Sequence, residues 1–159
     1  IKSFQKVWKK RLRCLYQKMC RIIMKGPQLI DLPKIKDPRG NLSFFENSNQ
    51  IPFDIKRTYW IYDVPGGEIR GGHAFKESHE FIVALSGSFD VILHDGEKEV
   101  KFSLNRSYFG LYVPNLLWRR IDNFSTNSLS LIVSNIDYNE KDYIRDFDEF
   151  KKIIKDVEK

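Results

Sequence analysis

Residues 71–87 read GGHAFKESHEFIVALSG. Phe81–Leu85 form an apolar run, and glycines bound the stretch, the composition of strands separated by turns. His73 and Phe75 are two apart, so on a strand they share one face. An imidazole beside a benzene ring has the look of a metal-binding or acid–base strand with half of its chemistry removed. His79 neighbours Glu80, faces the other way on the same reasoning, and is expected to lie outside any site that Glu80 joins.

The same texture extends in both directions. Residues 55–64 (IKRTYWIYDV) alternate, and Pro65-Gly66-Gly67 breaks the chain after them. Residues 79–104 form a run of strands, cut by Gly87 and again by a hairpin turn at His94-Asp95-Gly96-Glu97. Three more strands are predicted over 109–114, 117–124 and 128–138, and two short extended runs flank the Asp37-Pro38-Arg39-Gly40 turn. Strands at this spacing predict an all-β sandwich or barrel. Only the end of the chain, from Tyr138, has helical period, with Tyr143, Ile144, Phe147, Phe150, Ile153 and Ile154 on one predicted face.

The chain has 159 residues, enough for one domain with a real core. Its net charge of +6 is unevenly spread. Residues 1–23 carry eight basic side chains and no acid, whereas 24–159 carry 19 basic and 21 acidic ones. The basic character therefore belongs to a leader, assigned to residues 1–26, and the domain, 27–159, is not expected to bind nucleic acid. Three readings of the leader stay open: a membrane-surface helix, the tail of an upstream segment, or a start-site artefact. No apolar run approaches a membrane span. Cys14 and Cys20 both lie in the leader. The domain can depend on neither a disulfide nor a thiolate, which suits a reducing cytoplasm.

Two segments match the cupin pattern. Its first motif, His-x-His, four residues, Glu, six residues, Gly, is met by His73, Phe75, Glu80 and Gly87. Gly110, Pro114, Leu116, Arg119 and Asn123 occupy comparable places in its second, with a shortened first gap. The chain thus resembles a cupin, which implies an all-β double-stranded β-helix, or jelly-roll barrel, here closed by a C-terminal α-helix. Phe75 and Arg119 replace two of the four usual metal ligands. A metal needs three or four convergent ligands, and Arg119 adds a fixed positive charge, so no metal is expected.

Longer blocks narrow the resemblance. QIPFDIKRTYWIYDVPGGEIRGGHAFK (50–76), LSGSFDVILHDG (85–96), GLYVPNLLW (110–118) and YNEKDYIRDFDEF (138–150) are similar, in this order, to the sugar-nucleotide 3,4-ketoisomerases. The resemblance spans about residues 28–155. It implies conversion of TDP-4-keto-6-deoxyglucose to its 3-keto isomer, in deoxysugar and surface-polysaccharide synthesis, with no cofactor. It also implies a cytoplasmic homodimer, often with exchanged N-terminal strands.

Moving a ketone from C4 to C3 needs a base for the C3 proton, an enediol intermediate and an acid to reprotonate C4, tasks that suit an imidazole. His73 matches the first histidine of the family's pair. Phe75 matches the second and cannot exchange protons. Tyr59 and Arg119 are candidates to assist His73, and Arg39, Arg57, Arg70 and Lys76 to hold the diphosphate. Phe75, Tyr112 and Trp118 are candidate packing surfaces for base or sugar. Glu80 reads equally as a substrate-binding acid or as a buried partner of Arg70 or Arg119. Two alternatives accompany the isomerase: a barrel that binds sugar nucleotides without turnover, and a related sugar-nucleotide epimerase.

Overall fold

The computed structural model describes residues 26–157. The basic leader, apart from Gly26, lies outside the described residues. The elements in order are β1 (Gln28–Asp31), β2 (Lys34–Ile35), β3 (Leu42–Ser43), β4 (Arg57–Ile61), β5 (Arg70–Phe75) and β6 (Glu80–Ser86). There follow β7 (Phe89–His94), β8 (Glu99–Leu104), β9 (Phe109–Val113), β10 (Trp118–Asp122) and β11 (Leu129–Ser134). A 3-10 turn (Glu140–Asp142), β12 (Tyr143–Ile144) and one helix, α1 (Phe147–Val157), complete the described chain. Every strand pairing is antiparallel. Two five-stranded sheets result, ordered β1-β9-β6-β11-β4 and β12-β5-β10-β7-β8, and β2 and β3 form a separate hairpin. This is the jelly-roll barrel that the sequence predicts.

Strand alternation explains the layers. On β6, Ile82 and Ala84 turn inward to a core shared with Leu111 and Ile132 of their own sheet and Val91, Leu93 and Ile121 of the other. Phe81 and Val83 turn outward, yet are buried too, beneath Leu32, Ile51 and Phe53 of the N-terminal segment. FIVAL (81–85) therefore reads as an unbroken apolar run because both faces of β6 are covered. On the outside of the second sheet, Phe150 of α1 packs with Ala74 and Ile144, and Leu116 and Trp118 border them.

The helix is shorter than its period suggests. Tyr143 and Ile144, predicted on the helical face, instead form β12 and pair with Phe75 and Ala74 of β5. Asp142 causes the difference: its buried carboxylate accepts the backbone N–H groups of Glu77 (2.8 Å) and Ser78 (3.2 Å), and its carbonyl accepts that of Lys76. These bonds tie the tail to the β5–β6 turn before a helix can start. Asp146 then accepts the N–H of Glu149 and caps α1.

Candidate active site

The two sheets meet at three buried side chains and a half-buried tyrosine. Glu80 and Tyr59 come from the first sheet, on β6 and β4, and His73 and Arg119 from the second, as cross-strand partners on β5 and β10. Cross-strand partners share a face, which aims both of the latter inward. Arg119 joins the sheets. Its Nη1 donates to Glu80 Oε2, and its Nη2 donates to His73 Nε2 (2.9 Å) and to the Tyr59 hydroxyl (3.3 Å). Tyr59 in turn donates to Glu80 Oε1 at 2.5 Å.

A guanidinium can only donate, so Nε2 of His73 is the acceptor nitrogen and the imidazole carries its proton on Nδ1. Burial, then the positive charges of Arg119 and Arg145, hold the His73 pKa down to about 3, against a weaker opposing bond at Gly71. His73 is thus a neutral base with its lone pair turned into the barrel. Burial disfavours the Arg119 cation, but Glu80 and Tyr59 outweigh it and the Arg119 pKa is raised. Burial also raises that of the Tyr59 phenol; Glu80 adds to the rise and Arg119 opposes it.

Phe75 shares the inner face with His73, their rings 4.9 Å apart and nearly perpendicular, and Arg119 lies 5.5 Å over the Phe75 ring. Of the two readings of Glu80, the geometry selects the buried partner of Arg119. Arg57 also turns inward, on the same sheet row as Ser134 and Glu80. It lies over the rings of Tyr59 (5.2 Å) and Tyr138 (5.6 Å), and its buried Nε, like that of Arg119, has no hydrogen-bond partner among the described residues.

Other expected site residues lie elsewhere. Trp118 alternates with Arg119 and so faces outward, against Phe147 and Phe150. Tyr112 alternates with the inward Leu111 and Val113, and bonds His79 Nδ1 at 2.8 Å on the outer face of the first sheet. The expectation that His79 turns away from Glu80 holds. Lys76 is exposed in the turn after β5. Arg39 is exposed at the tip of the β2–β3 hairpin, where it pairs with Asp37. Arg70 is exposed too. The register slips at Gly72, which sets Arg70 opposite the inward Ile121. It opens on a cleft beside Trp60, Asp63, Pro65 and Ile69, outside the buried cluster. His94 is not solvated as its turn position suggests: its Nδ1 accepts the Gly96 N–H and its ring packs on Phe147.

Sequence reasoning missed Tyr138, Tyr143 and Arg145. The Tyr143 ring lies 5.0 Å from His73 and 4.7 Å from Phe75, with Arg145 4.5 Å over it and Tyr138 6.0 Å away. The signal was present in YNEKDYIRDF, but its helical period concealed a strand.

A cation could use His73 and Glu80, yet Arg119 already bonds Nε2 of the one and Oε2 of the other. Among the described residues, no three His, Cys, Asp or Glu side chains converge. The residues present do not fit a metal.

A jelly-roll barrel with a neutral imidazole and a buried guanidinium between its sheets defines the class: a cupin-type barrel. The chain belongs to the family described as FdtA: WxcM-like, C-terminal, whose model matches residues 25–155. It is 41% identical over 127 residues to TDP-4-oxo-6-deoxy-alpha-D-glucose-3,4-oxoisomerase of Aneurinibacillus thermoaerophilus, covering 80% of this chain and 91% of that protein. Among solved structures it resembles a 3,4-ketoisomerase from Helicobacter canadensis, with 37% identity, a TM-score of 0.79, and 81% of this chain and 97% of that one covered. It also resembles the sugar 3,4-ketoisomerase QdtA from Thermoanaerobacterium thermosaccharolyticum in complex with TDP, with 33% identity, a TM-score of 0.81, and 85% and 98% covered.

Proposed function

We propose that this chain is a metal-independent 3,4-ketoisomerase acting on a TDP-linked 4-keto-6-deoxyhexose, through C3 proton abstraction and an enediol. The relatives' activities supply the substrate class. The observation that carries the chemistry is a neutral His73 whose Nε2 lone pair meets only the Arg119 guanidinium. A substrate oxygen that takes over the Arg119 donor frees that lone pair for the C3 proton. Arg119 then stands beside the enediolate charge.

Two guanidinium Nε donors, of Arg57 and Arg119, are buried without partners among the described residues. Buried donors left unpaired are costly, and an anionic, hydroxyl-rich ligand would satisfy both. Arg57, on the edge strand β4, is the candidate for the diphosphate. Arg70, on the rim, is the candidate for the outer part of the nucleotide. Tyr59 serves by fixing Arg119 and Glu80, because its own proton is committed to Glu80.

We place the enzyme in the cytoplasm, in line with a domain that uses no cysteine, and read it as a homodimer. Leu29, Ile35 and Leu42 on β1–β3 are each at least half exposed, which favours a covering partner. Exchange of these strands would carry Arg39, at the hairpin tip, towards a partner's barrel.

The test is incubation with TDP-4-keto-6-deoxyglucose in deuterated water, followed by NMR at C3 and C4. Formation of the 3-keto isomer with deuterium incorporation is expected, and His73→Asn abolishes both. Tight TDP binding with no exchange and no product would identify a binding barrel and defeat the isomerase reading. With His73 neutral well into acid, kcat/KM of the free enzyme has no acid limb near pH 6.5.

A further inference from the structure

Isomerisation moves two kinds of proton. One leaves carbon C3 and arrives at carbon C4. The other arrives at O4, when the ketone becomes an enediol, and leaves O3, when the new ketone forms. His73 accounts for the carbon proton. The oxygen proton needs a second group that can both donate and accept. Phe75 cannot serve. The Tyr59 O–H is already donated to Glu80 at 2.5 Å. His79 is bonded to Tyr112 on the outer face, and His94 packs under α1. Arg119 and Arg57 only donate.

Tyr143 remains. It pairs directly with Phe75 across β12 and β5, so its ring stands beside the place where the resemblance expects a second imidazole and Phe75 stands instead. Its ring centroid is 5.0 Å from that of His73 and 4.7 Å from that of Phe75. Arg145 lies 4.5 Å over the ring, and the phenol oxygen is within electrostatic reach of Arg119. Asp142, next in the chain, anchors this strand to the β5–β6 turn and fixes where the ring sits.

We infer that Tyr143 is a catalytic residue that carries the oxygen-bound proton, in place of the imidazole that Phe75 does not supply. This rests on the isomerase reading above. In the first step His73 Nε2 takes the C3 proton, the C3–H electrons form the C3=C4 bond, and the Tyr143 O–H protonates O4. The result is a neutral enediol with an imidazolium and a phenolate, the latter flanked by Arg145 and Arg119. In the second step the phenolate takes the O3 proton, C3=O forms, and the C3=C4 electrons collect the proton from His73 at C4. Both groups return to their starting states, and no other reactant is consumed.

The experiment measures kcat, KM and TDP binding of the full chain and of Tyr143→Phe, which keeps the ring and its packing but loses the proton. A kcat lowered about 100-fold or more is expected, the ordinary worth of a positioned acid–base group, with KM and TDP affinity changed less than about threefold. Adding Phe75→His to Tyr143→Phe should recover tenfold or more of the lost kcat, since an imidazole then stands beside the vacant position. A Tyr143→Phe kcat within threefold of wild type, a loss confined to KM, or no recovery from Phe75→His would each overturn the assignment. A wild-type chain that binds TDP and makes no 3-keto product defeats the isomerase reading itself. A wild type that turns over beside an unimpaired Tyr143→Phe defeats this inference alone.

Discussion

Arg119 holds a carboxylate with one arm and an imidazole with the other, both inside the barrel. A buried ion pair contributes little net stability, but breaking one strands a charge. Glu80→Ala is therefore expected to cost about 3–5 kcal/mol of unfolding free energy by denaturant titration. A cost under 1 kcal/mol would mean that Arg119 finds another anion. His73 gives a second prediction. Its folded pKa of about 3 lies below the ordinary value of 6.5, so between those values the unfolded chain holds a proton that the folded chain refuses. Stability from this group is complete above pH 6.5 and is lost as pH falls towards 3, at about 1 kcal/mol per pH unit. Between pH 6 and 5, where carboxylates hardly titrate, His73→Asn should flatten the slope of stability against pH. An unchanged slope would show that His73 is not buried neutral. Strand spacing put His73 and Phe75 on one face, and the resemblance to the cupin motifs added Glu80 and Arg119 to the set. The face alone could not tell which atoms meet.

The tail shows how an element escapes its periodicity. Tyr143, Ile144, Phe147 and Phe150 fit a helical stripe, but Asp142 spends its carboxylate on two amides 64 and 65 residues earlier in the chain. No local propensity could announce that bond. Asp142→Ala leaves two amides of the β5–β6 turn without acceptors. The expected cost is about 1–3 kcal/mol, with faster hydrogen exchange at Glu77 and Ser78; unchanged exchange there would show that the carboxylate does not anchor β12. In the β-barrel, strand β9 approaches β6 closely because Gly110 has no side chain. A Cβ there would meet the Phe81 ring and sit 2.7 Å from the Ile82 carbonyl oxygen. Gly110→Ala should lower stability by about 1–3 kcal/mol, and a melting temperature equal to wild type would show that the sheet yields. The strands themselves were readable, since β6 to β11 each fall inside a run bounded by glycine, proline or polar turns.

At the scale of the molecule, the barrel has its own core and a covered outer face on each sheet, one beneath the N-terminal segment and one beneath α1. The β2–β3 hairpin leaves Ile35 and Leu42 each 54% exposed. The homodimer reading predicts twice the chain mass by light scattering. Ile35→Lys with Leu42→Lys should shift the protein to monomer with the barrel folded, and a monomeric wild type would sink the dimer. Through the period of two and its turn residues, the sequence by itself determined the all-β class, the strand order along the chain and the shared face of His73 and Phe75, while the choice of a barrel came from the resemblance to cupins. These properties are local, set by which residues alternate and where the chain can bend. The tertiary structure alone decided that Trp118 and Tyr112 face away, that Tyr59 spends its proton on Glu80, and that Tyr143 leaves its helix to stand beside His73. Each depends on hydrogen bonds or packing between segments distant in sequence, for which a single strand carries no signal.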